Sequence, residues 1–213
     1  MDAVLFDMDG LLVDTERVWF EVECEVVTRL GGSWGPEHQE RLVGGSWERS
    51  IAYMLELTGA DVAPIVVGSW LMDGMERRLA AGVAPMPGAV ELLRELADHG
   101  IRTGLVTSSL RAIADAVLKF VGREHFEVIV TADDVTRTKP HPEPYLTATR
   151  LLSADPARCV VLEDSPNGVA SARAAGCPVV AVPSVLPIAQ AAGRVVMPSL
   201  RHVDVELLRS LVV

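Results

Sequence analysis

Lysine is nearly missing from this chain. There are two, Lys119 and Lys139, beside 17 arginines. A lysine in a telling place therefore needs a reason in a sequence that otherwise uses arginine as its cation. Basic residues as a whole are outnumbered, 19 Lys and Arg against 29 Asp and Glu, for a net charge of -10 and a pI near 4.9. That balance argues against a nucleic-acid partner, which needs a basic face, and against an anionic membrane surface. No apolar run approaches the ~20 residues of a membrane-spanning helix. The opening MDAVLFDMDG carries acids where a secretory leader needs a basic start. Cysteine is scarce too. Cys24, Cys159 and Cys177 are odd in number and far apart, which argues against a disulfide framework and fits reduced thiols in a cytoplasmic protein. Cys159 sits in the apolar run CVVL and reads as a small core hydrophobe, not a nucleophile. Internal repeats, low-complexity tracts and long charge runs are absent. Monomer is the default expectation.

What is present is ample material for a core: 213 residues, 49% hydrophobic, with a mean hydropathy of +0.29. The length suits one large domain or one domain carrying an insertion. Residues Ala3 to Phe6 form an apolar run that reads as a buried strand. It stops abruptly at Asp7-Met8-Asp9-Gly10. Two carboxylates two apart beside a buried strand are costly unless a metal or a hydrogen-bonding loop holds them. Gly10 permits the tight turn. An acidic turn with no further role is the plainer reading of this stretch alone.

The stretch from 15 to 81 reads as helices only. Val18, Val22, Val26 and Leu30 recur at helical spacing, Gly31-Gly32 ends that helix, and Asp14 is expected to cap it. Further helices are expected over 36–42, from Ser46 or Trp47 to about Thr58, and over about 62–81. After Pro85 the texture changes to alternating helices and strands. Strands are expected over 101–106, 126–130, 159–162, 178–182 and 194–197, with helices over 89–99, 110–120, 145–152, 167–175 and 203–211. Such alternation implies parallel β-α units with right-handed crossovers. The expected architecture is a doubly wound α/β core over 1–14 and 82–213, with a helical insert over 15–81. The insert should sit over the strand ends as a mobile cap, with Gly82 and Pro85 near its second hinge.

The expected strands end in polar groups, or lead into loops that carry them. They are Asp7 and Asp9, then Thr107-Ser108, then a loop with Lys139-Pro140, then Glu163-Asp164. Parallel neighbours bring such ends to one edge of the sheet, where open α/β sheets bind ligands. Each has a plainer reading: Thr107 as a helix cap, Lys139 as a solvated cation, Glu163-Asp164 as acids at a helix start. Their recurrence at successive strand ends favours chemistry. The set matches Mg²⁺-dependent phosphoryl transfer. Asp7, Asp164 and Glu163 supply carboxylates for Mg²⁺. Asp7, ionised at an ordinary pKa of ~3.9, is placed to attack phosphorus. Asp9 can protonate the leaving alkoxide and then take a proton from water. Thr107 and the Ser108 amide can donate to phosphate oxygens, and Lys139 can offset their charge.

The motifs FDMDGLLVDTE, LVTSS, TKPHPEPY and VLEDSPNGVASARAAG resemble those of the haloacid dehalogenase superfamily, in its β-phosphoglucomutase-like branch of capped phosphatases and mutases. The resemblance spans nearly the whole core. It implies a Rossmann-like core with an inserted helical cap, Mg²⁺ and an aspartyl-phosphate intermediate. It makes Asp7 the nucleophile, Asp9 the acid/base, and Thr107, Ser108 and Lys139 the phosphate-binding groups. It assigns the metal to Asp7, Glu163, Asp164 and the Asp9 main-chain carbonyl.

Departures from the pattern narrow the chemistry. Superfamily dehalogenases generally lack the second aspartate, and phosphonatases use a cap lysine, of which 15–81 has none. Sugar phosphomutases place a His after the DTE-like stretch and an Arg in the cap loop. Trp19 and Trp47 stand there in this chain. Thr138 replaces the glycine usual before Lys-Pro. DTERVW looks more like the sugar and polyol phosphatases. The expectation is a phosphatase of small phosphate esters, with a sugar phosphomutase as the alternative and a non-catalytic binding protein behind both. Specificity is expected from Glu16, Trp19, Gly45, Ser46, Trp47 and Arg49, while Trp70 and Met72 are expected to pack.

Overall fold

The computed structural model describes residues 1–212. Six strands form one parallel sheet: β1 (Ala3–Phe6), β2 (Arg102–Val106), β3 (Val128–Val130), β4 (Cys159–Glu163), β5 (Val179–Ala181) and β6 (Arg194–Val196), in the order β3-β2-β1-β4-β5-β6. This is the doubly wound arrangement that the alternation implies. The switch point lies between β1 and β4, where β1 pairs with β2 on one side and β4 on the other.

Register sets the site. Phe6 is level with both Leu105 and Leu162, so the chain leaves β1, β2 and β4 at one height. The β1 side chains alternate between two apolar layers, as strand geometry requires. Val4 and Phe6 pack in the layer that holds Leu92 and Leu93 of α5 (Ala89–Asp98), Ile113 and Val117 of α6 (Arg111–Val121), and Leu208 of α9 (Val205–Ser210). Ala3 and Leu5 face the layer that holds Tyr145 and Ala148 of α7 (Glu143–Leu151) and Val169 and Ala172 of α8 (Pro166–Ala174).

Between β1 and β2 the chain is helical from 16 to 80: α1 (Glu16–Arg29), α2 (Pro36–Leu42), α3 (Trp47–Thr58) and α4 (Pro64–Ala80). α4 begins at Pro64 because proline suits the first helical position. Ser46 caps α3, accepting from Arg49 N at 3.3 Å, and Gly59 closes it in the left-handed region. Trp70 and Met72 pack against the apolar core, and the Arg29 guanidinium lies 3.7 Å from the Trp70 ring centre.

The two connections to this insert run side by side. Asp14 N donates to Ala84 O at 3.0 Å and Met86 N to Leu12 O at 2.8 Å. That pairing corrects the expectation for Asp14. Its backbone is drawn into the crossing strands, no side chain caps α1, and its carboxylate instead reaches Arg17 at 3.8 Å. Among the described residues no helix is long and apolar enough to cross a membrane.

Candidate active site

Lys139 is the centre of the polar groups at the strand ends. Its loop delivers a buried ammonium that donates to Asp7 Oδ1 at 2.5 Å, to the Val106 carbonyl at 2.8 Å and to Glu163 Oε1 at 2.6 Å. All three donor positions of the ammonium are thereby used. Glu163 is equally committed. Tyr145 Oη donates to its Oε1 at 2.6 Å, and its Oε2 accepts from Ser165 Oγ at 3.2 Å and from the amides of Asp164 and Ser165. Gly168 lies so close over this carboxylate that a Cβ there would overlap it. Lone pairs already spent this way make Glu163 a holder of Lys139 more than a free ligand.

Asp7, Glu163 and Asp164 each offer a carboxylate oxygen within 4.8 Å of the others, all buried. Ser184 donates to Asp164, and a Cβ at Gly10, whose φ is +78°, would collide with the same oxygen. Gly10 is thus required both for its left-handed turn and for the close approach of Asp164.

Asp9 stands apart from that cluster and is held by side chains from two segments. Its Oδ1 accepts from Thr15 Oγ1 at 2.7 Å and Trp19 Nε1 at 3.3 Å; its Oδ2 accepts from Thr107 Oγ1 at 3.1 Å and Ser109 Oγ at 2.8 Å. Thr107 therefore faces Asp9, and its oxygen also accepts from Ser109 N at 3.0 Å. Ser108 Oγ is buried without a partner beside the same cavity, a donor available to a ligand.

The cavity lies between the strand ends and the helical insert. Of the residues expected to set specificity, Glu16, Trp19, Gly45, Ser46 and Trp47 line it, with the two indoles edge to face at 6.1 Å. Arg49 is not among its walls. It borders a separate outer groove with Arg137 and Pro142, because its place one turn into α3 carries it past the opening. Sequence reasoning missed Glu23, Gln39 and Ser50, which line the cavity, and Thr15 and Ser109, which hold Asp9. Helical spacing could have found Glu23, seven residues after Glu16 on one stripe of α1. The insert touches the sheet side here: Asn167 Nδ2 donates to Val43 O at 3.1 Å, and Gly44 packs on Ser165.

Residues 4–182 match the family described as haloacid dehalogenase-like hydrolase. The chain belongs to that family. Hexitol phosphatase A of Escherichia coli is 36% identical over 84% of this chain and 81% of its own length. Fructose-1-phosphate phosphatase of the same organism is 33% identical over 82% of this chain and 92% of its own. Among solved structures, CbbY from Rhodobacter sphaeroides in complex with xylulose-(1,5)bisphosphate superposes with a TM-score of 0.83 at 29% identity, covering 95% of this chain and 96% of that one. A member of this hydrolase family with such relatives is a phosphatase.

The electrostatics of the carboxylate cluster differ from the expectation for Asp7. Burial pushes its carboxyl well above the ordinary range; Lys139 pulls it down, while Glu163, Asp164 and Asp9 push it up again. Asp164 is raised for the same reasons, burial first and then the Glu163 and Glu16 charges. Burial opposes the Lys139 charge, but Asp7 and Glu163 reverse this and hold its pKa above the usual lysine value. One ammonium among this many carboxylates leaves negative charge uncompensated. An oxygen-only donor set with surplus negative charge fits a hard divalent cation. Cys159 and Cys177, by contrast, are buried thiols pushed up to about 11 and about 12, as suits core packing.

Proposed function

We propose that this phosphatase hydrolyses monophosphate esters of sugars or polyols, using Mg²⁺ and an aspartyl-phosphate on Asp7. The observation that carries the reading is the buried Asp7–Lys139–Asp164 cluster opening onto the cavity that also holds Asp9 and the unpartnered Ser108 hydroxyl. The named hexitol and fructose-1-phosphate phosphatases support the substrate class.

Asp7 and Asp164 would hold the cation with the Asp9 carbonyl, Glu163 standing beside them; the cation supplies positive charge to the phosphoryl oxygens and lets Asp7 stay ionised. Lys139 fixes Asp7 Oδ1, which leaves Oδ2 to attack phosphorus in line with the ester oxygen. As the Asp7 O–P bond forms, the ester O–P bond breaks, and Asp9 gives its proton to the departing alkoxide. Ser108 and the ammonium of Lys139 offset charge on the phosphoryl oxygens. A water then attacks phosphorus, Asp9 takes its proton, and the bond to Asp7 breaks to release phosphate. Thr15, Trp19, Thr107 and Ser109 hold Asp9 in position for both transfers. Trp19 and Trp47 stand where sugar phosphomutases place a His and an Arg, which favours hydrolysis over transfer to a second sugar.

In this reading residues 1–14 and 82–213 are the catalytic core and 15–81 a cap that excludes water on closing. A monomer is the proposed state, and the three unpaired thiols suit the cytoplasm. The test is phosphate release from a panel of sugar, polyol, nucleotide and glycolate phosphates, with Mg²⁺ and with chelator. Mg²⁺-dependent release concentrated on sugar or polyol phosphates is expected. Isomerised sugar phosphate without free phosphate would instead identify a mutase.

A further inference from the structure

Glu23 is a carboxyl group that the proposed chemistry does not use. It lies on α1 two turns beyond Glu16 on the same stripe, is 6% exposed, and lines the cavity on the insert side. Trp34 Nε1 donates to its Oε2 at 3.1 Å, and Trp34 is itself stacked on His38. The other oxygen, Oε1, has no protein donor among the described residues. Gln39 joins this end of the cavity, donating from Nε2 to the Glu16 main-chain oxygen at 2.8 Å and to its carboxylate at 3.4 Å.

The charge of the cavity is lopsided. Five carboxyl groups line it, and Lys139 is the one cation among the described lining residues. That cation is already committed to Asp7 and Glu163 at the phosphoryl end.

We propose, resting on the phosphatase reading above, that Glu23, Glu16 and Gln39 form a hydroxyl-recognising end, so that the leaving group is an uncharged polyhydroxy chain without a second phosphate or carboxylate. Glu23 touches the substrate and sets specificity. A second anion there would be buried with no free cation to compensate it, whereas a carboxyl, protonated or not, can hydrogen-bond a hydroxyl. Burial pushes Glu23 up to about 8 despite the Trp34 bond, and Glu16 up to about 8 through burial and then the Asp9 and Glu23 charges. Both can therefore donate as well as accept near neutral pH. The inference separates this chain from its relative solved with a bisphosphate.

The experiment compares kcat/KM of the Mg²⁺-loaded enzyme for a hexitol monophosphate, the same hexitol bisphosphate, phosphoglycolate and p-nitrophenyl phosphate. The monophosphate should exceed the bisphosphate and phosphoglycolate by about 100-fold. In Glu23→Leu the ratio of hexitol monophosphate to p-nitrophenyl phosphate should fall by about 10-fold or more, mainly through KM, and Glu23→Gln should restore most of it. A packing role alone would leave that ratio unmoved. Comparable turnover of mono- and bisphosphate by the wild type would overturn the inference and leave the phosphatase reading standing. No release from any compound, p-nitrophenyl phosphate included, would overturn both.

Discussion

Lys139 Nζ lies 2.5 Å from Asp7 Oδ1, with both side chains buried. A compact ammonium makes this contact and two others at once, to Val106 O and Glu163 Oε1. A planar guanidinium cannot fit the same three points. The chain uses arginine nearly everywhere else, and this geometry explains the lysine here.

Lys139→Met should therefore lose activity and stability together. Removing one partner of a buried ionic network costs about 3–5 kcal/mol, read as a shift of the denaturant midpoint in metal-free protein. Lys139→Arg should not restore phosphate release. A fully active Lys139→Arg enzyme would show that the three-point fit is unimportant.

The uncompensated charge of Asp7, Glu163 and Asp164 gives a second expectation. Mg²⁺ should raise the melting temperature, and chelator should reverse the rise. At a metal concentration 100 times its Kd the gain is about 2.7 kcal/mol. Asp164→Ala should abolish the Mg²⁺-dependent part. Equal shifts in wild type and variant would mean that the ion binds elsewhere.

These groups were legible in the sequence because each ends a strand, directly follows one or lies in the loop beyond one, and parallel pairing makes strand ends meet. Asp7, Thr107, Lys139, Glu163 and Asp164 all arrive as their positions imply. The plainer reading of Lys139 as a solvated cation fails on its burial. Other features depend on folding that no local pattern encodes. Tyr145 reaches Glu163 only because α7 packs on the sheet, and Ser184 reaches Asp164 from a loop 20 residues away. Asp14 looks like a cap, yet pairing of the two insert connections claims its backbone. An ordinary pKa for Asp7 is the natural reading of an isolated aspartate; burial, which sequence does not reveal, overturns it.

Burial of Glu16 and Glu23 makes stability depend on pH. Both are raised to about 8 from an ordinary 4.5, by burial first, then for Glu16 by neighbouring carboxylates and for Glu23 against the opposing Trp34 bond. Between those values the folded protein keeps protons that the unfolded chain releases. Stability is thus fully present below about pH 4.5 and falls as pH rises through about 8. Asp7 and Asp164 push the same way without metal, so melts belong in saturating Mg²⁺. Glu23→Gln should flatten the decline between pH 5 and 8.5. An unchanged slope would mean that Glu23 does not titrate in this window.

The central claim is that phosphate passes through Asp7. Acid quenching during turnover, followed by trypsin and mass spectrometry, reads this directly on the peptide that ends at Arg17. The account predicts one phosphoryl group on Asp7 in the wild type and none in Asp7→Asn, which should also release no phosphate. An unmodified peptide from enzyme quenched in mid-turnover under conditions that preserve acyl phosphates, or an active Asp7→Asn enzyme, would contradict it.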